Sequence, residues 1–407
     1  MKIIHTGDIH ECPTNQDEVD VVMAALLLEA ERDRPDAFVF AGDLFESGVL
    51  LHSTTTDKAV KHITAFASIA PVLLLQGTFS HDAPGSLNVF KSLHTTHPIF
   101  VADRICQVAI ILGGNWVQSA GAQFHAIPPG ADAVFSCLPT VNKAYIAAMF
   151  GVKGVGAAAT SYVTDILQGF RHLNRQCRAA EIPAIFVAHG TLNGAITEHG
   201  VPMVGFDHEF SQRSIADADF TAGMLAHIHK PQRWDMDDDL IISYCGSPGR
   251  YHYGEEGDKV FNRWTFAGAR PSLETVTLPA RRLIHISFDG PPCFDRLHAE
   301  SADCSGAHVR VRYSIDEEHR HSVDNDAIRA IFIDCGAADV KIEPRTNPVQ
   351  RQRAAGISEA PTLADKVKRW CEITDSDPTP LLPRLGMLEH SEQPQDIAAR
   401  IMNQTEA

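Results

Sequence analysis

The chain has 407 residues, 44% hydrophobic and 21% charged; this is ordinary globular usage that excludes wholesale disorder, and the length calls for two or three domains. Its 35 basic and 51 acidic residues leave a formal net charge of −16, so bulk charge gives no hold on nucleic acid, and such a contact would need a local basic or metal-lined groove. No secretory pattern opens the chain, no apolar run approaches the about 18 residues of a membrane span, and the nine cysteines form no CxxC pair. Free thiols in a reducing cytosol are expected rather than a disulfide framework or zinc ribbon.

The first half alternates short apolar runs with helical patterns. Lys2–His5 predicts a strand ending at Thr6-Gly7-Asp8, and Asp17–Arg32 a helix with Val21, Val22, Ala25, Leu26 and Ala30 at helical spacing. Ala37–Phe40 is a second strand before Gly42-Asp43, Thr54–Ile69 a helix, and Pro71–Leu75 a third strand before Gln76-Gly77. Tyr162–Ala180 is helical, Pro183–Ala188 is a strand ending at His189-Gly190, and Ala218–Leu225 leads into His227-Ile228-His229. Short, wholly apolar strands separated by helices belong to a sheet covered on both faces, hence an α/β layered domain. Strand patterns dominate from Leu240 to Leu278 and predict a sheet-rich second layer.

Composition shifts near Pro279–Arg282. Strands at Leu283–Phe288, His308–Tyr313 and Asp339–Glu343 with a helix at Asp324–Phe332 form a small β/α unit. Arg345–Gly356 is a polar, basic linker. Thr362–Trp370 begins a helix with Thr362 as its cap and Asp365 three residues on, and a short final helix follows Pro378, Pro380 and Pro383. The expected domains are 1–280, 281–345 and 346–407.

Nearly every buried-type strand of the first 230 residues ends in a group of metal-ligand type: Asp8 and His10, Asp43, Ser80-His81-Asp82, His189, then His227 and His229. Ligand sites of α/β sheets gather outside the carboxyl ends of the strands, so these residues can converge. Carboxylates and imidazoles without thiolates suit divalent ions such as Mn²⁺, Fe²⁺ or Zn²⁺, and the number of donors exceeds what one ion needs. Each piece alone is weak, since a Gly-Asp after a strand is commonly a turn. The joint order is specific.

That order, D-x-H, then G-D, then His81-Asp82, then His189, then H-x-H, resembles the calcineurin-like metallophosphoesterases. Tyr244-Cys-Gly-Ser-Pro-Gly-Arg250 followed by Gly254-Glu-Glu-Gly-Asp-Lys259 is similar to a segment of SbcD-type nucleases, the catalytic subunits of bacterial double-strand-break processing complexes. The resemblance spans about residues 1–375. It implies a four-layered α/β/β/α core, a small α+β capping domain and a C-terminal helical tail. It also implies two divalent metal ions, Mn²⁺ first with Mg²⁺, Fe²⁺ or Zn²⁺ as alternatives. Asp8, His10, Asp43 and His229 would hold one. Asp43 would bridge to the other, held also by His189, His227 and Ser80. His81 would orient the phosphate or protonate the leaving oxygen.

The implied function is phosphodiester hydrolysis on DNA, 3′→5′ exonuclease and endonuclease. Its partners would be DNA, an SbcC-type ABC ATPase whose coiled coil receives the C-terminal helices, and a second copy of the chain at the helices Thr54–Ile69 and Ser86–Leu93. The location would be the cytoplasm, on the nucleoid when bound to DNA, with no membrane. One departure stands out. The family's third motif is usually Gly-Asn-His-Asp, whereas Gly77-Thr-Phe-Ser-His-Asp82 has two extra residues and puts Ser80 at the Asn position. A neutral hydroxyl is a modest ligand, so weaker occupancy of the second metal is expected.

Several roles stay open at this level. Glu46 either backs a ligand or lies on the surface. Arg250 and Lys230 either meet DNA phosphates or pair with the acidic run Asp235–Asp239. Arg345, Arg351 and Arg353 either contact DNA or a partner or belong to a solvated linker. The Leu363/Val367/Trp370 stripe is a partner surface or a packed face. Rival functions are a stand-alone phosphodiesterase or phosphatase on small molecules, a metal-poor binding subunit, and a protein phosphatase. Residues 283–375 argue against the first, and the near-complete ligand set against the second.

Overall fold

A computed structural model describes residues 1–141, 155–197, 209–236, 239–348 and 356–388. The expected α/β alternation is present: β1 (Lys2–Thr6), α1 (Gln16–Asp33), β2 (Ala37–Phe40), α2 (Thr54–Ala67), β3 (Val72–Leu75), α3 (Asn88–Lys91) and β4 (Ile99–Ala102). The helix expected over Ser86–Leu93 is only the single turn α3. Like β4, three strands that follow are absent from the pattern reading: β5 (Cys106–Ile111), β6 (Asn115–Gln118) and β7 (Ala131–Leu138). Then come α4 (Val155–Ala179), β8 (Ala184–His189), β9 (Thr191–Leu192), β10 (Glu209–Phe210), α5 (Gln212–Asp217), β11 (Ala222–Ala226), β12 (Gln232–Met236) and β13 (Leu240–Tyr244).

Two large sheets result. The first has order β15-β14-β1-β2-β3-β4, where β14 (Lys259–Ala267) and β15 (Arg270–Leu278) form a long hairpin paired antiparallel to β1. The second has order β12-β13-β11-β8-β7-β5-β6. The strand-rich stretch after Leu240 is therefore shared between them, β13 joining the second sheet and the hairpin returning to the first. β1 to β4 run parallel, as do β7, β8, β11 and β13.

Three apolar cores explain the layering. Along β1, Ile4 faces a core shared with Val22 and Leu26 of α1 and Phe66 of α2, while Ile3 faces one shared with Phe135, Ile185 and Met224 of the second sheet. Alternation along a strand requires those opposite faces. The outer face of the second sheet meets Val163, Leu167 and Phe170 of α4 and Ile215 of α5. The two sheets thus pack on one another, each with helices on its other face.

Beyond them lie β16 (Leu283–Phe288), α6 (Phe294–Ser301), β17 (His308–Asp316), α7 (Asn325–Asp334) and β18 (Asp339–Asn347), whose strands form a sheet of order β16-β17-β18. β18 runs on through Arg345 into the expected linker, while Arg351 and Arg353 lie outside the described residues. The tail carries α8 (Leu363–Thr374) and α9 (Leu382–Leu388). Thr362 caps α8 as expected, its hydroxyl oxygen accepting from the Asp365 N–H at 3.1 Å. The chain divides into two compact units. One comprises Met1–Ile286, Asp295–Val311 and Ala327–Ile342, and the other Ser287–Phe294, Arg312–Asp326 and the residues from Glu343 onward. All nine cysteines are free. Among the described residues no helix is long and apolar enough to cross a membrane.

One buried group makes the inter-sheet core sensitive to acid. His5 shares the face of Ile3, is fully buried, and neither ring nitrogen has a hydrogen-bond partner among the described residues. Burial lowers its pKa from 6.5 to about 3. Between those values the unfolded chain binds a proton that the folded chain does not, so this contribution to stability is complete above pH 6.5 and is lost as pH falls towards 3. Chemical denaturation should show stability declining over that interval with a slope from this residue approaching about 1.4 kcal/mol per pH unit. His5→Leu should flatten the profile, and an unchanged slope in that variant would count against this account.

Candidate active site

The carboxyl ends of β1, β2, β3, β8 and β11 deliver Asp8 and His10, Asp43, Thr78, His189, and His227 to one edge of the two sheets. The chain turns sharply there. Asp8, His10 and Asp43 have φ near 50°, and His227 has φ 108°, a left-handed region that non-glycine residues seldom occupy. Backbone bonds hold the turns: Asp8 N–H donates to Gly42 O at 2.9 Å, and Ile9 and His10 N–H both donate to Asp43 O at 2.8 and 3.1 Å. Glycine is required at Gly42, with φ 108°, because a Cβ would lie 2.3 Å from His189 Nδ1.

Among the described residues four groups of three donor side chains form, and two of them consist wholly of expected ligands. In the first, donor atoms of Asp8, His10 and His229 lie within 4.8 Å of one another, and His10 Nε2 stands 3.0 Å from His229 Nε2. Each imidazole has a carboxylate close behind its Nδ1. His229 Nδ1 is 2.7 Å from Glu255 Oε1, whose other oxygen is 2.7 Å from Lys259 Nζ, and His10 Nδ1 is 2.7 Å from Glu46 Oε2. A carboxylate behind Nδ1 turns the Nε2 lone pair towards the cluster. Two such lone pairs at 3.0 Å repel unless a proton or a cation lies between them, so this donor set fits a divalent ion.

The second cluster is Asp43, His189 and His227. His189 Nε2 lies 3.1 Å from Asp43 Oδ2, and its Nδ1 faces Ala41 O at 2.9 Å. Burial draws the His189 pKa down, but the Asp43 charge and hydrogen bond outweigh it and carry it up to about 9. Burial likewise opposes ionisation of Asp43, yet His189 holds that carboxyl well below the usual range. The clusters are joined by His227 N–H, which reaches both oxygens of Asp8 at 2.9 and 3.0 Å.

Six of the expected ligands thus stand in the two clusters, and His81 stands beside them. Its ring meets His10 edge-on at 4.8 Å between centroids, and its Nδ1 is 2.6 Å from Glu46 O. Ser80 is different: it is exposed, and among the described residues none of its polar contacts reaches either cluster. Thr78 is there instead. Its N–H donates to Asp43 Oδ1 at 2.6 Å, and its hydroxyl lies 3.4 Å from Asp43 Oδ2 and 3.2 Å from His189 Nε2. The two extra residues of the motif loop outward after Thr78 rather than before it.

Asp82 is structural, accepting from the N–H groups of Leu44, Phe45 and Gly77 at 3.3, 3.2 and 3.0 Å. Burial and the Asp43 charge push it up to about 6 against those bonds. The Arg250 guanidinium donates to the carbonyls of Glu255, Arg281 and Gly257, and among the described residues it forms no ion pair with the acidic run. Glu255 lies within the Gly254–Lys259 segment that the sequence singles out, but only the fold brings it to His229.

A calcineurin-like phosphoesterase description matches residues 1–256. The chain belongs to the calcineurin-like phosphoesterase family. Two curated proteins are similar, the SbcD component of the nuclease SbcCD from Escherichia coli strain K12 and its counterpart from Escherichia coli O157:H7. Each is 25% identical over 304 residues, covering 69% of this chain and 68% of the relative. A dimetal phosphatase from Danio rerio overlaps 68% of this chain and 96% of its own at 10% identity and a TM-score of 0.39. As a member of that family, this phosphoesterase is a metal-dependent hydrolase, and its clusters are where divalent ions would be held.

The close approach at Gly77 supplies a test. A Cβ there would lie 2.1 Å from Asp43 Oδ1 and 2.2 Å from Asp43 N, whereas one at Gly48 would meet nothing within 4 Å. Gly77→Ala should displace the Asp43 carboxylate and cut hydrolysis of bis-p-nitrophenyl phosphate about 100-fold while the circular dichroism spectrum stays native. Gly48→Ala should match wild type. Equal activity of the two variants would show that Asp43 tolerates displacement.

Proposed function

We propose that this phosphoesterase is a Mn²⁺-dependent DNA nuclease, acting as a 3′→5′ exonuclease and endonuclease in a complex with an SbcC-type coiled-coil ABC ATPase. The observation that carries the reading is the pair of adjoining carboxylate–imidazole clusters with His81 at their edge, in a chain similar to SbcD of the SbcCD nuclease over 304 residues. Asp8, His10 and His229 would hold one ion, and His189 and His227 another, with Asp43 shared. Bound there, divalent ions supply Lewis-acid stabilisation of phosphoryl oxygens and a more acidic water.

The protein's own groups do the rest. With Nδ1 anchored on the Glu46 carbonyl, His81 can hold a proton at Nε2 and give it to the departing 3′ oxygen. Glu46 and Glu255 fix the orientation of His10 and His229. The small β/α segment over 281–345 is assigned as a cap and the tail from 346 as the ATPase-docking element. Leu363, Trp370 and Ile373 of α8 are 48%, 42% and 45% exposed, which supports that docking role. Exposed Leu50 and Leu51 just before α2 support self-association there.

The test is cleavage of an end-labelled DNA duplex with Mn²⁺, with and without the ATPase. Cleavage should require the metal, and His81→Ala should lower its rate by about 10²–10⁴-fold. Failure to cut DNA under every condition, with bis-p-nitrophenyl phosphate still hydrolysed, would overturn the nuclease reading in favour of a small-molecule phosphodiesterase.

A further inference from the structure

We infer that His252 is a substrate-contacting residue, its imidazole N–H donating a hydrogen bond to a non-bridging oxygen of the scissile phosphodiester. The inference takes the phosphate to sit against the two clusters. It does not require the diester to be DNA, so it stands apart from the nuclease reading.

The ring stands at the edge of the first cluster. Tyr251 is buried and its ring meets that of His10 at 5.9 Å between centroids. The next residue turns outward. His252 is exposed, and its ring lies nearly parallel to that of His229, with 10° between the planes and 6.1 Å between centroids. One of its nitrogens comes within 4.8 Å of donor atoms of His229 and Glu255. Glu46, whose carbonyl meets His81, is also within electrostatic reach of His252. His252 and His81 therefore border the same opening.

The backbone clamps it in place. His252 O accepts from the Glu255 N–H at 3.1 Å, and the Tyr251 N–H donates to Glu255 Oε2 at 3.0 Å. The other oxygen of that carboxylate lies 2.7 Å from His229 Nδ1, so one side chain fixes both the ligand and the turn that carries His252. A side chain held in this way is preorganised for a ligand. Among the described residues its ring nitrogens make no hydrogen bond, so the donor is open to an incoming group. The neighbouring cations are occupied: Arg250 by backbone carbonyls, and Lys259 by Glu255 and Ser247 in the interior. A neutral imidazole carries one N–H donor, and such a bond to an anionic oxygen is worth about 10-fold or more in affinity.

Three variants of the full-length protein separate the donor from the ring. His252→Ala removes both, His252→Phe keeps a flat ring beside His229 without the N–H, and His252→Gln keeps an N–H without the ring. Hydrolysis of bis-p-nitrophenyl phosphate with Mn²⁺ should show KM raised about 10-fold in the Ala and Phe variants, with kcat within about 3-fold of wild type. Calorimetry with inorganic phosphate and the Mn²⁺-loaded protein should show the same loss of affinity, and His252→Gln should recover most of it. Mn²⁺ affinity, followed by the electron paramagnetic resonance of the free ion, should be equal in all four proteins. An unchanged KM in His252→Ala, or a wild-type KM in His252→Phe with none of the recovery in His252→Gln, would overturn the inference. So would a fall in Mn²⁺ affinity in His252→Ala, which would make the ring a metal ligand instead.

Discussion

The Asp43 carboxylate stands where the constraints on the site meet. It follows β2 directly, so the parallel pairing of β2 with β1 and β3 decides where it sits. Thr78 N–H holds one of its oxygens and His189, from the other sheet, faces the second. Its own carbonyl accepts from Ile9 and His10, which positions the neighbouring D-x-H turn. Gly42 and Gly77 leave the space this needs, and a Cβ at either would collide with His189 or Asp43. Moving Asp43 would therefore move donors of both clusters together, because the backbone bonds that place it also place theirs.

Strain is concentrated at the same edge. Asp8, His10, Asp43 and His227 all have positive φ, and each such residue costs on the order of 1 kcal/mol or more. Strands built from Ile, Val, Phe and Leu, fully buried in the three cores, supply the stability that tolerates this cost. The division of labour follows chain order. Strands of four to six largely buried residues form β1, β2, β3, β8 and β11, and the polar ligand side chains sit at or just beyond their ends. An α/β sandwich can carry a dense polar site in this way without placing unpaired charges in its interior. Even His5, buried between the sheets, conforms, because burial keeps its ring neutral.

This explains what is legible in the sequence. Ligands that end a strand, such as Asp43 and His189, are visible because the strand before each is an apolar run, and Asp8 is visible through the D-x-H spacing that follows the short Ile3-Ile4 pair. The α/β alternation is visible for the same reason. Groups that act through another residue are visible only in part: the sequence leaves Glu46 open between two roles and does not pair Glu255 with His229. Glu255 lies 26 residues from His229, and only the route of the chain between β13 and β14 brings the two together. Glu46 offers its side chain to His10 and its carbonyl to His81, a double role no spacing rule encodes. Counting back from His81 places the insertion before the ligand position and so points to Ser80 instead of Thr78. The fold, in contrast, counts forward from Gly77, which is pinned against Asp43. The β14–β15 hairpin reads as strands but not as part of the first sheet, since antiparallel pairing with β1 leaves no local signature.

The charge of the chain bears on the same site. A protein with a formal net charge of −16 repels a polyanion at long range, and the supporting carboxylates Glu46 and Glu255 add negative charge beside the place where a phosphodiester would have to sit. Arg250, a guanidinium of the motif region, is engaged by three backbone carbonyls. Attraction for a phosphate must then come from cations held by the clusters and from surfaces outside them. Carboxylates that repel a phosphodiester in the metal-free protein would also strengthen cation binding there, so filling the clusters would reverse the local field. Under that arrangement recognition of a phosphodiester and readiness for chemistry would depend on the same event.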